Sequence, residues 1–209
     1  PNRLICRCWR LPAVILAPWQ AADVSSENQS GSTAKKGLVA WCLYDWANSA
    51  FPTVIITFVF AAYFTKGVAK DVVTGTSQWG WAMSISALAV GLLAPILGAV
   101  ADKGGRRKPW LLVFTGLTVI ASALLWQIKP DVSFVMLALI LAGLANFAFE
   151  MGMVFYNAML PDIAPRKMLG RWSGWGWGIG YIGGLTCLAV TLAGFVQTET
   201  PWFGLSKDA

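Results

Sequence analysis

Histidine is absent from the 209 residues. Its absence removes imidazole acid–base chemistry, the serine triads that depend on it, and most zinc sites. Charge is scarce as well: 12% of the residues are Asp, Glu, Lys or Arg, about half the roughly 25% of an ordinary soluble domain. So few charges cannot build a solvated surface around a core drawn from a chain that is 56% apolar. With a mean hydropathy of +0.59, the composition points to a membrane before any motif is read. Cysteine is sparse too. Cys6, Cys8, Cys42 and Cys187 are too few and too scattered for a disulfide framework. The Cys6-x-Cys8 pair lacks the second ligand pair that a metal would need, so no metal site is expected.

What is present is a series of long gaps between charges. Charge-free runs cover 46–65, 72–101, 109–128, 132–149 and 172–198, and the fourth continues as an apolar stretch to Leu160. A membrane helix needs about 20 mostly apolar residues. Soluble cores do not produce five such gaps in succession. Lipid leaves only helices or closed barrels, because backbone groups must bond internally. Barrel strands would alternate every second residue, and "WLLVFTGLTVIASALLW" does not. The expected fold is therefore an all-α integral membrane bundle, with spans at about 38–65, 77–101, 109–128, 132–160 and 172–198.

Net charge is +6, but its distribution argues against nucleic acid. With a cytoplasmic amino terminus, the inner segments hold 12 Lys and Arg and the outer segments hold 4, the bias that fixes membrane orientation. The excess is loop charge. Trp41, Trp110 and Trp172 lie near the inner span ends, and Trp79, Trp81 and Trp126 near the outer ones, as an interfacial belt requires. Residues 1–36 differ. "DVSSENQSGSTAKK" reads as a disordered linker. The apolar "LPAVILAPWQAA" before it is short and carries Pro12 and Pro18. An unstructured extension is expected here, with a signal peptide or interfacial helix as the other readings.

The connection between the second and third spans is "GAVADKGGRRKPW". Its spaced residues are Gly98, Asp102, Lys103, Gly105, Arg106, Arg107 and Lys108. Gly98 would let a neighbouring helix approach. Asp102 at the membrane edge needs a cation or a helix amino terminus. Gly105 permits a tight reversal. The basic cluster anchors the loop and can pair with acids on a neighbour. A generic positive-inside loop would need the basic run but not the Gly and Asp positions. This pattern resembles the signature loop of the major facilitator superfamily. "WCLYDWANSAF", "FYNAMLPDIAP" and "GRWSGWGWGIGYIGG" narrow the resemblance, over about Lys36 to Phe195, to the vacuole-effluxer branch of that superfamily. That branch includes fungal vacuolar amino-acid exporters and bacterial members of uncertain substrate.

The resemblance implies a major-facilitator-like bundle of twelve helices in two halves, of which residues 37–209 would supply the first five helices. It implies a central site open alternately to either side, a bacterial inner membrane or a fungal vacuolar membrane, and no cofactor. The remaining helices would come from a carboxy-terminal half or a partner subunit. The chain by itself is expected not to transport.

Ionisable residues inside spans are expensive, so each is a site candidate. Asp45 opens the first span, with Asn48 and Ser49 one turn on and Pro52 beyond. Pro52 removes a backbone bond and can bend the helix. Asp45 also fits an interfacial position. In the fourth span Asn146, Glu150 and Asn157 fall within about 40° of one another at 100° per residue, one polar stripe on an apolar helix. Asp45 lies roughly 10 Å inward from Leu38 and Glu150 roughly 16 Å inward from Pro161, which suggests similar depths. The resemblance places both carboxylates near the transport path, since the first and fourth helices of the superfamily line the cavity. A desolvated carboxylate can exchange a proton near neutral pH, which makes Glu150 the candidate for proton coupling. A structural bond to another helix is its alternative role.

Gly176, Gly180 and Gly184 recur every fourth residue of the fifth span, a face for close helix contact. Gly178, Gly180 and Gly183 also spell G-x-G-x-x-G, but no strand precedes them and the run is apolar, so dinucleotide binding is not expected. The leading function is a secondary transporter of a small solute, with amino acids the candidate class and protons the candidate coupling ion. The alternative is a non-transporting membrane subunit or truncated remnant packing on partners through the glycine face. An enzyme is not expected, since no Ser or Cys has an evident base.

Overall fold

A computed structural model describes residues 31–197. The apolar and polar segments before residue 31 lie outside the described residues. Five helices are long and apolar enough to cross a membrane: α1 (Lys36–Val68), α2 (Val72–Gly104), α3 (Lys108–Gln127), α4 (Val132–Ile163) and α5 (Arg166–Val196). No strand occurs among the described residues.

The termini show why the helices begin and end where they do. The helix that leads into α1 starts at Gly31, so the last residues of the expected linker are helical. Ala34, Lys35 and Lys36 favour that continuation. In α2, Asp71 caps the amino terminus by accepting from the Thr74 N–H at 2.9 Å and its hydroxyl at 2.7 Å. The bonds from Thr74 hold the Asp71 carboxyl below its usual range. The cap starts α2 five residues before the expected position, because Thr74 and Thr76 turn their hydroxyls back onto the helix. Gly105 closes α2 in the left-handed region at φ 62, donating its N–H to the Asp102 carbonyl at 3.2 Å. Asp131 caps the start of α4 through the Ser133 N–H at 2.7 Å. A 3-10 turn at Arg166–Met168 follows Pro165 and brings the start of α5 ahead of residue 172.

Pro52 does more than bend α1. A turn at Ser49 precedes a seven-residue π-helical segment, Pro52–Phe58. Proline lacks an N–H and its ring excludes the carbonyl one turn back, so the bonding widens to five residues. The Thr57 hydroxyl donates to the Pro52 carbonyl at 2.8 Å, in that wider register.

The core is organised around α4, which contributes to all three buried clusters. Ala138, Ala142, Ala145 and Ala148 are fully buried, and Gly152 continues their line. Small residues there let α2 and α3 approach closely, which matters where lipid gives no hydrophobic push between helices. Phe155 stacks on Trp110 and Phe114 with ring centroids 5.7 and 5.8 Å apart. The outward faces are apolar: Val73, Leu112 and Trp126 are exposed, as lipid-facing residues should be.

Candidate functional site

The described end of the bundle that carries the α2–α3 connection is tied by one guanidinium. Arg107 donates from Nε and Nη2 to Asp102 Oδ1 at 3.0 and 2.8 Å. Its Nη1 donates to Asp162 Oδ2 at 2.7 Å and to the Ala158 carbonyl at 2.6 Å. One side chain thus joins the last turn of α2 to the last turns of α4. Hydrogen bonding to Asp102 keeps the guanidinium charged above its already high range. Asp102 receives the cation that its position demands. Gly105 makes the reversal that brings Arg107 back to it. Lys103, Arg106 and Lys108 point to solvent. No neighbouring helix of the described residues comes within 4 Å of where a Cβ on Gly98 would stand, so the close approach expected there is not made among them. Beside the clamp lies a cavity of about 630 Å³ lined by Asp102, Arg106, Arg107 and Asp162 among others.

Replacing Arg107 with Ala should lower thermal stability only modestly, since exposed pairs contribute about 0.2–1 kcal/mol each. Lysine should not restore it, because a point charge cannot reach two carboxylates and a carbonyl at once. Equal unfolding temperatures for the Lys variant and the unaltered chain would contradict the clamp.

Above this clamp, α1 is locked onto α4. The Trp41 indole donates to the Tyr156 carbonyl at 3.1 Å, and the Tyr156 hydroxyl donates to the Trp41 carbonyl at 3.1 Å. Their rings stack 4.3 Å apart. Tyr44 shares a 2.7 Å hydrogen bond with Thr115 of α3. The pairs Trp41–Tyr156, Asn48–Met153 and Phe51–Phe149 show α1 and α4 running antiparallel.

The five site candidates do not form one cluster. Asp45 is 7% exposed and lies with Ser49 against Gly180 of α5. No hydrogen bond or ion pair reaches its carboxylate among the described residues. Asn48 faces α4, donating to the Met153 sulfur at 3.3 Å. Asn146 turns to α2, donating to the Ser86 hydroxyl at 3.0 Å. Glu150 and Asn157 are exposed, with no partner among the described residues. The antiparallel register sets Glu150 level with Ala50 and Phe51, about 8 Å further along the bundle than Asp45 at 1.5 Å per residue. The two carboxylates are therefore not at one depth.

The glycine face of α5 is occupied within the chain. A Cβ on Gly176 would strike the Trp41 ring, one on Gly180 the Asp45 carboxylate, and one on Gly184 the Thr53 hydroxyl. Gly183 stands against the Trp46 backbone itself. The expectation that this face recruits a partner is corrected: α1 fills it. Gly180 and Gly183 of the G-x-G-x-x-G string are helical packing positions, while Gly178 faces open space.

Ser86, Tyr156 and Asp162 were not singled out by sequence, and Trp41 only as a residue of the interfacial belt. Ser86 and Asp162 carried a weak signal, a hydroxyl deep in an apolar run and an acid beside Pro161. Tyr156 carried none, and Trp41 none beyond the belt.

The family described as vacuole effluxer Atg22 like matches residues 67–205. A Bacillus subtilis (strain 168) protein described as "Uncharacterized MFS-type transporter YxiO" is 34% identical over 173 residues, covering 81% of this chain and 40% of its own length. An uncharacterized protein of Aquifex aeolicus (strain VF5) is 31% identical over 150 residues, covering 72% of this chain and 36% of its own. The chain thus spans about two fifths of the curated relatives it matches. No solved structure matches.

Proposed function

The chain belongs to the vacuole effluxer Atg22-like family, and from that membership we propose that it forms the amino-terminal helices of a secondary transporter that moves a small solute by alternating access. It is a multi-pass membrane protein of a family described as vacuole effluxers, with a relative described as an MFS-type transporter. The observation that carries the transport reading is Glu150. It is an ionisable group within an apolar helix, exposed, with neither cation nor donor beside it among the described residues. Such a group is costly in lipid, by about 2.5–3.5 kcal/mol for comparable charged residues on insertion scales, so it belongs on a wet path. In this reading Glu150 carries a proton and Asp45 is a second, interior carboxylate on the same route. Asn48, Asn146 and Asn157 supply polar contacts along it. The Arg107 clamp holds one end of α2, α3 and α4 together as a unit, and the loop from Gly98 to Lys108 that carries it acts as the cytoplasmic gating loop. The basic end is cytoplasmic by its charge. Amino acids are the first solutes to test, since the resemblance implies them.

The test uses liposomes holding the chain alone, and the chain fused to the carboxy-terminal part of the Bacillus subtilis relative. Under an imposed proton gradient the fusion should show saturable solute flux that an uncoupler abolishes. A folded fusion with no flux above empty liposomes would sink the transporter reading. Saturable flux from the chain alone would show that these helices assemble a path without a second half.

A further inference from the structure

Between the first halves of α2 and α4 lies an apolar groove of about 550 Å³, within the range of small-molecule sites. Trp81, Ile85, Ile140, Gly143 and Phe147 line it, with Ser86 among the few polar groups. Gly143 creates part of its depth. A Cβ there would meet only the Ala82 carbonyl, at 3.8 Å, so a larger side chain has room and would occupy the groove. Glu150 does not itself line the groove but follows the last α4 residue that does, Phe147. Phe147 lines the groove and stands one helical turn from Glu150, a spacing that puts side chains about 5–6 Å apart at Cβ. A second acceptor, Gln78 Oε1, is buried along the groove with no hydrogen-bond partner among the described residues. The described Lys and Arg residues all lie near helix ends or in connections. The face therefore offers one carboxylate, a few neutral polar groups and apolar surface, and no cation.

Resting on the transport reading, we propose that this groove and Glu150 form one solute site for an organic amine with an apolar chain. The ammonium lies at Glu150 and the chain lies in the α2–α4 groove. A carboxylate solute of the same length finds no charge partner on this face, and an uncharged one gains only the groove.

The experiment places the 209-residue chain in nanodiscs and measures binding of n-alkylammonium ions of two to ten carbons by calorimetry. Empty nanodiscs are subtracted, and n-alkanols and n-alkylcarboxylates of equal length serve as comparisons. Affinity for the amines should rise about threefold per added methylene until the groove is full, as expected for apolar burial. Glu150→Gln should weaken amine binding at least tenfold and leave the alkanols unchanged. Gly143→Leu should flatten the length dependence while leaving ethylammonium unchanged. Ile85→Ala, at an exposed position, should weaken only the long amines and keeps the test open if the Leu variant fails to fold. Carboxylates binding as well as amines, or a length dependence untouched by both groove variants, would overturn the site. Flux of the same amines through the fusion in liposomes separates the two claims. Length-dependent binding without flux upholds the site and removes the transport reading. Flux without length dependence does the reverse.

Discussion

Glu150→Gln in the transport-competent fusion should abolish proton-driven solute flux while the protein stays folded. Gln keeps the size and hydrogen-bonding capacity of Glu but cannot exchange a proton. Because Glu150 has no partner among the described residues, the change breaks no bond, and stability should move by no more than about 0.5 kcal/mol. Transport and stability are thereby separated, which a structural role for Glu150 would not allow. The sign is fixed by the chemistry. Unaltered flux should vary with pH as the carboxyl gains and loses its proton, whereas the Gln variant should show a flat profile. Exchange of labelled for unlabelled solute, which needs no net proton movement, should survive once the solute concentration is raised to offset the weaker binding of the variant. The measurement is flux against pH on each side of the membrane. An unchanged pH profile in the variant would remove Glu150 from coupling.

The largest effect on stability is expected at Gly183. A Cβ there would overlap the carbonyl oxygen, carbonyl carbon and Cα of Trp46. These are backbone atoms, so no rotamer change relieves the clash, and α5 must shift away from α1. The shift loosens the contacts of Gly176 with Trp41, Gly180 with Asp45 and Gly184 with Thr53 together. Overpacking of a fitted interface costs about 1–3 kcal/mol, and a backbone clash belongs at or above the upper end. Gly178→Ala is the control. Its Cβ meets nothing, and replacing a mid-helix glycine gains up to about 1 kcal/mol. Thermal unfolding in nanodiscs should therefore fall for Gly183→Ala and hold or rise for Gly178→Ala. Equal values for the two variants would show that α5 does not seat on α1 in this register.

Amino-acid order alone determined the membrane class, the five helices and the loop that closes α2. These are properties of composition and local sequence. Long charge-free runs must be helical in lipid, and Gly105 followed by basic residues is a reversal wherever it stands. Sequence order also made Asp45, Glu150 and the glycines conspicuous, because each breaks an apolar pattern. Their partners are a different matter. Asp102 needed a cation, but several were available in the same loop. Only the packed helices show Arg107 reaching Asp102 five residues back and, at the same time, the Ala158 carbonyl and Asp162, 51 and 55 residues on. The polar stripe of α4 was legible as a stripe. That Asn146 turns to Ser86 while Glu150 stays uncovered depends on which helix lies beside each turn. The π segment after Pro52 rotates the rest of α1 by an amount that no residue spacing encodes. The glycine face was readable as a contact surface, yet its occupant was not, because close approach needs only a small residue and carries no address. Direction and depth of contact are set by the crossing of whole helices, and that is a property of the folded chain.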